Sequence, residues 1–206
     1  MPNRIRAGAL TALAAAALTT ATVLAAPAGS AAPKHRAPAF LSASQLPPHP
    51  SSSWTAGKVT DGVPIELRFC LDDVFPGYDS RYRDFYTDLD TTARQLTIVT
   101  GSAGKAKALA GRMNKEIRSC AARAEQGNPE VEAYYRGYGT IPVEEGARVH
   151  GLLTETAWGA QDVRLMSVGR DGRTVTVVDW SQMGDFGDAP VRAFKKTTTT
   201  AVNKLY

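Results

Sequence analysis

Hydrophobic and polar positions along the chain alternate between two periods, and the change of period marks out the elements. Ala106, Leu109, Ala110, Met113, Ile117, Cys120 and Ala121 recur at three- and four-residue intervals. Lys105, Lys107, Arg112, Lys115, Glu116 and Arg118 fall off that stripe, so the segment predicts an amphipathic helix that Gly127-Asn128-Pro129 stops. Ile65 to Leu71 alternates with period two and predicts a strand. Ser80 to Thr100 predicts a hairpin turning at Leu89–Thr92, although Tyr78, Tyr82, Phe85, Tyr86 and Leu89 also fit one helical face. Arg148 to Trp158 predicts a further strand. Asp162–Gly169 and Arg173–Trp180 predict a tight hairpin around Asp171-Gly172, a pair suited to positive φ. The chain closes on a helix, with Asp188 as N-cap, Pro190 in the first turn, and Val191, Phe194, Thr198, Ala201 and Leu205 on one face. Strands, helix, strands, helix is the expected order: an α+β fold, with two main helices packed on an antiparallel sheet.

The first 32 residues have a different logic. Arg4 and Arg6 precede an uncharged Ala-rich run from Ala7 to Ala26, followed by the small residues Ala26-Pro27-Ala28 and Ser30-Ala31-Ala32. Positive end, apolar middle and small-residue cut site are the three parts of a secretory signal peptide. The run is too weakly apolar for a stable anchor. Residues 33–40 then read as a flexible Pro/Ala-rich leader, and 41–206 as one domain, in which Leu41 and Leu46 dock and Leu46-Pro47-Pro48 leads to a buried Trp54. Cleavage takes Arg4 and Arg6 with it, so the formal charge falls from +4 to +2. That balance is a poor footprint for nucleic acid, and no second apolar stretch provides for membrane insertion after cleavage.

Export changes how Cys70 and Cys120 are read. Two cysteines in an oxidising compartment favour one disulfide over free thiols, and two thiols are too few for a structural zinc site. The expected bridge joins a strand end to the apolar face of the helix. It closes a loop of about fifty residues, worth about 4 kcal/mol in the chain-entropy description.

Candidate chemistry is sparse. Thr100-Gly101-Ser102-Ala103-Gly104-Lys105 sits where a phosphate loop would, but has two residues between its glycines instead of four, and Ala106 follows the lysine. Asp185-Phe186-Gly187 echoes the kinase magnesium motif without its companion motifs and reads as a turn. His150 is the only histidine beyond the proline-rich segment 33–53, has no Gly-x-Ser-x-Gly elbow to serve, and reads as structural. Glu144-Glu145, Asp72-Asp73 and Asp84/Asp88/Asp90 lack calcium-loop spacing and read as solvated turns and strand faces. No catalytic residue, metal site or cofactor is therefore expected. Aromatic residues are the better lead to a ligand cleft: Tyr82 and Tyr86, which share a face if their run is a strand, Tyr134 and Tyr138, and Trp158 and Trp180 at strand ends.

An order of features carries a family resemblance. Leu46-Pro47 precedes Trp54 and then Cys70; the run Leu96-Thr97-Ile98-Val99 enters a helix holding Cys120; Val168-Gly169-Arg170-Asp171-Gly172 leads to a Val-rich strand ending at Trp180 and a closing helix. Over residues 41–206 this resembles the actinobacterial sensor domains typified by the extracellular part of PknH-like serine/threonine kinases. The resemblance implies a non-enzymatic α+β domain with a cleft for an extracellular ligand, a small molecule or a protein. Members often carry a second disulfide and hang from a membrane-spanning kinase, and this chain shows neither. The expectation is a secreted ligand-binding domain of sensor type. A small secreted hydrolase using carboxylates or His150, and an inhibitor or interaction module contacting a partner through an exposed loop near Gly127–Gly139, are the alternatives.

Overall fold

The computed structural model describes residues 37–71, 74, 75, 77 and 79–206. The expected signal peptide (1–32), the first half of the expected leader (33–36) and Asp72-Asp73 lie outside the described residues. Seven strands make one sheet: β1 (Thr55–Asp61), β2 (Asp79–Tyr86), β3 (Thr92–Val99), β4 (Val131–Ile141), β5 (Ala147–Thr156), β6 (Gln161–Asp171) and β7 (Thr174–Met183). Their order is β1-β2-β3-β7-β6-β5-β4, and every pairing is antiparallel. Among the described residues three α-helices accompany them: a single turn α1 (Arg68–Leu71), the long α2 (Ala103–Gly127) and α3 (Val191–Asn203). The fold is α+β, and both main helices fall where the apolar periodicity predicts them.

Each helix covers one face of the sheet. The buried residues of α2 are the seven of the sequence stripe, and they pack on Leu96, Ile98, Leu152, Met166, Val168, Val175 and Val177. Phe194 and Ala201 of α3 pack on the opposite face, against Val149, Val163, Leu165, Val178 and Trp180. Leu41 and Leu46 are buried on this second face too. The segment that carries them is tied down by hydrogen bonds. Leu41 N donates to Gln95 Oε1 at 2.7 Å, Arg83 Nη1 to Leu41 O at 3.0 Å, and Trp54 Nε1 to Pro47 O at 2.7 Å. Just upstream, Ala39 N donates to Lys204 O at 2.9 Å. No helix among the described residues is long and apolar enough to cross a membrane.

Three local expectations need correction. Ile65–Leu71 is not a strand: a 3₁₀ turn over Ile65–Leu67 runs into α1. Leu67, Cys70 and Leu71 are buried while Ile65 and Phe69 are 71% and 53% exposed, so burial follows helical spacing, and the period-two alternation of the sequence is a coincidence of a short run. Asp188 is not the N-cap of α3. Pro190 occupies that position without a side-chain cap, and Asp188 Oδ2 instead accepts from Asp185 N at 3.0 Å within the preceding turn. The β6–β7 turn is displaced by one residue: Asp171 still pairs with Thr174, and Gly172 and Arg173 make the turn, with Gly172 at φ 51°. The hairpin of β2 and β3 stands, so the helical alternative for Tyr82–Leu89 falls. The strands β1 and β4 have no counterpart in the sequence reading. Both are sheet edges with little burial, and both contain an irregularity, between Ala56 and Val59 and between Gly137 and Gly139.

The disulfide pairs Cys70 with Cys120, with Cα atoms 5.1 Å apart. Because Cys70 lies on α1, the bridge joins helix to helix and not strand to helix. It holds α1 against α2, and Arg123 reinforces the joint by donating to Cys70 O at 2.8 Å. Replacing both cysteines by alanine is expected to lower unfolding free energy by about 4 kcal/mol, measured by urea denaturation.

Val202 of α3 packs directly over Gly169 on β6. A Cβ there would lie 2.4 Å from Val202 Cγ2 and 3.0 Å from Ala147 Cβ. Valine is stiff at χ1 and cannot swing aside. Gly169→Ala is expected to cost about 1–3 kcal/mol, and Val202→Ala in the same chain to recover part of the lost melting temperature.

Candidate functional site

The path of α2 decides what the sheet leaves open. The helix begins at Ser102, beyond the end of β3, where Ser102 Oγ accepts from Lys105 N at 3.2 Å. That cap is the role of the Gly/Ser run before Lys105. It ends near the start of β4, where Glu125 Oε1 accepts from Ala133 N at 3.1 Å. An element running from the end of one strand to the start of another crosses the strands obliquely, and two opposite corners of this face remain outside its apolar footprint.

One corner is charged. Pairing places Asp84 opposite Arg94 and Arg94 opposite Asp179, so a row of acid, base and acid spans β2, β3 and β7. Arg164 of β6, one step along the sheet, adds a second base. Arg94 Nε lies 3.3 Å from Asp84 Oδ1, and its Nη1 lies 3.5 Å from both Asp179 Oδ2 and Glu66 Oε2. Arg164 Nε lies 3.3 Å from Asp179 Oδ1. The side chains of Arg94 and Asp179 are 9% and 2% exposed. These separations exceed the 2.7–2.9 Å or so of a tight charged hydrogen bond, and Asp179 Oδ1 has no aligned donor despite its nearness to Arg164. The cluster is an ion-pair network held together by charge more than by alignment.

A hollow of about 230 Å³ opens beside it, lined by Phe69, Leu152, Thr154, Asp162, Arg164 and Ser181. Phe69 comes from α1, so the disulfide sets one wall, and the Arg164 guanidinium lies 5.7 Å from its ring centre. Ser181 Oγ lies 3.0 Å from Thr92 Oγ1 on the neighbouring strand. Three acids (Glu66, Asp84 and Asp179) pair with Arg94 or Arg164, and Asp162 is the carboxylate that lines the hollow itself, beside Arg164. Asp179→Asn is expected to cost about 3–5 kcal/mol in urea denaturation, because it leaves Arg94 buried without its innermost partner.

His150 lies under α2, fully buried. Its Nε2 is 2.7 Å from Asn114 Oδ1 and its Nδ1 is 2.9 Å from Tyr135 Oη. Asn114 Nδ2 donates to Ala110 O at 2.8 Å, so Asn114 Oδ1 is the acceptor and the imidazole proton sits on Nε2, with Tyr135 donating to Nδ1. Burial, aided by the charges of Arg148 and Arg118, pushes its pKa down to about 4 from 6.5. The ring is therefore neutral at neutral pH, and both nitrogens are engaged within the fold. Between pH 6.5 and 4 the unfolded chain binds a proton that the folded chain refuses, so stability falls as pH falls through this window. The gap is worth about 3 kcal/mol at roughly 1.4 kcal/mol per pH unit. His150→Gln is expected to show a flatter decline of urea midpoint from pH 7 to 4.5 than the native sequence.

The aromatic residues are spread over the molecule. Tyr82 and Tyr86 flank Asp84 on β2, Tyr82 packing on the core under α2 and Tyr86 half exposed. Trp180 is buried beneath α3. Tyr86 lines a shallow hollow with His49–Ser53, and Trp180 lines a smaller one of about 200 Å³ with Trp54, His49, Asp188 and Pro190. His49 belongs to both, which brings Tyr86 and Trp180 to the two sides of the proline-rich segment. Tyr134 is exposed and donates to Glu132 Oε2 at 2.6 Å, which raises its pKa. The Tyr138 ring covers Gly151, where a Cβ would meet it at 2.7 Å. Trp158 is 70% exposed on the β5–β6 turn. Tyr82, Tyr134, Tyr138 and Trp158 line neither of these two hollows.

The acidic motifs disperse as well. Asp84 joins Arg94, Asp88 accepts from Ser52 Oγ, which lowers its pKa, and Asp90 Oδ2 accepts from Met183 N at 3.3 Å. Asp185 Oδ1 accepts from Gly187 N at 2.5 Å, a turn, and Phe186 lies 4.3 Å beneath the Arg136 guanidinium. Among the described residues, no three His, Cys, Asp or Glu side chains are grouped to hold a metal ion.

No family model matches the chain, and no curated protein matches it. Among solved structures it is similar to the extracellular domain of PknH from Mycobacterium tuberculosis, at 17% identity over 82% of this chain and 99% of that one, with a TM-score of 0.47. A likeness this loose assigns neither family nor ligand.

Proposed function

We propose that the mature chain is a secreted, non-catalytic ligand-binding domain of sensor type that receives a small polar ligand at the charged corner of the sheet. Export rests on the three-part pattern of residues 1–32, and fits a chain whose two cysteines are joined. The observation that carries the binding role is the row Asp84–Arg94–Asp179 with Arg164. Well-packed apolar side chains would serve stability there as well or better, since burying ions costs several kcal/mol each, and a charged cluster in a core position is more usefully retained for recognition. The excess of acids over arginines favours a ligand with a positive charge or many donors. Thr154 and Ser181 supply hydroxyls, and Phe69 an aromatic wall. His150, whose two nitrogens are both occupied by fold partners, supplies no general base.

The test is a thermal-shift screen of the purified mature protein against small amines, amino sugars and neutral sugars, with Asp162→Asn as the site variant. Asp162 is exposed at the rim, so the variant keeps the fold. Saturable stabilisation by a cationic or donor-rich compound, weakened about tenfold in Asp162→Asn, is expected. A screen without a saturable hit, or a hit indifferent to Asp162, rejects the site. Turnover abolished by a single substitution rejects the non-catalytic reading.

A further inference from the structure

The opposite corner left by α2 has the reverse charge. A pocket of about 260 Å³ opens between the first half of α2 and the ends of β4, β5 and β6, and its polar lining includes Lys107, Asn114, Thr140, Glu145, Arg148 and Arg170. Glu145 is its one acid, and it is fully engaged. Its Oε1 lies 3.2 Å from Arg170 Nη1, and its Oε2 accepts from Gly172 N at 2.7 Å. Glu144, between β4 and β5, and Asp171, at the end of β6, do not line the pocket. Lys107 and Arg148 have no ion-pair partner among the described residues, and the Thr140 hydroxyl has no hydrogen-bond partner among them. Two unpaired cations, a third held in place by a carboxylate, and an unused hydroxyl therefore converge on one concavity. A protein that needed only to fold would have no cause to collect them there, because like charges facing one hollow repel.

We propose that this pocket binds a small oxyanion, a phosphate or carboxylate group, with Arg148 and Lys107 as its direct partners and Thr140 as a further donor. Glu145 acts by fixing Arg170 on the wall. A planar guanidinium beside a mobile ammonium suits an oxyanion, the first by paired hydrogen bonds and the second as a point charge. The volume leaves space for a small organic body carrying the anion. This site shares no lining residue with the acidic corner.

Asn114 connects the pocket to a reporter. It lines the pocket, and its Oδ1 accepts the Nε2 proton of His150. Occupancy is therefore readable as a shift of the His150 ring signal in a ¹⁵N-histidine NMR spectrum, assigned by its loss in His150→Gln. The experiment titrates the mature protein with inorganic phosphate, holding ionic strength constant with sodium chloride. The expected result is a saturating shift of the His150 signal with a parallel rise in melting temperature. Arg148→Met and Lys107→Met should each weaken the response about tenfold or more, Arg148→Lys less, and Asp162→Asn not at all. Both substituted residues are exposed, and unchanged circular dichroism checks that the fold is kept. A response that does not saturate, that sodium chloride reproduces, or that survives in the Arg148→Met/Lys107→Met double variant overturns the proposal.

Discussion

The contact between the apolar stripe of α2 and the central strands is the constraint on which the other features rest. Burying seven side chains against Leu96, Ile98, Met166, Val175 and their neighbours fixes both the height and the direction of the helix. A helix about one side chain wide cannot cover a seven-stranded sheet. Its oblique path therefore determines where polar groups on that face are affordable. The two uncovered corners differ in sign because different residues reach them: β2, β6 and β7 bring Asp84, Asp162 and Asp179 to one, and β5 and β6 bring Arg148 and Arg170 to the other. On the opposite face α3 and the Leu41–Leu46 segment share the work, and the hydrogen bonds of Gln95 and Arg83 show how closely that segment is integrated with the sheet.

Much of this architecture is legible in the chain. The stripe from Ala106 to Ala121 is long enough for the 3.6 period to be unambiguous, and its members are the buried ones. The β6–β7 hairpin is legible because a glycine suited to positive φ sits between two apolar runs. What escaped the sequence reading shares a physical cause. The edge strands β1 and β4 bury few side chains, so they lack alternation. Ile65–Leu71 is seven residues long, too short to distinguish two periods, and only contacts with α2 show which of its residues face inward.

The candidate site was less legible than the fold. Arg94, Asp179 and Arg164 are 85 and 15 residues apart in pairs along the chain, and only register makes neighbours of them. A signal was nevertheless present: Asp179 stands between Val177-Val178 and Trp180 in a run otherwise apolar, a poor place for a carboxylate unless a cation waits across the strand. Aromatic residues were a weaker guide because burial and exposure separated them, Trp180 going under α3 and Trp158 to the tip of a turn.

The Glu125 carboxylate has a consequence beyond positioning the end of α2. By accepting from Ala133 N it occupies an amide on the outer strand of the sheet that would otherwise be a vacant docking point for another polypeptide. Further along the same strand the irregularity at Gly137–Gly139 breaks the even spacing that strand addition requires, and β1 carries its own break on the opposite border. Both borders are thereby poor templates for polymerisation, so the sheet ends where its own chain ends it.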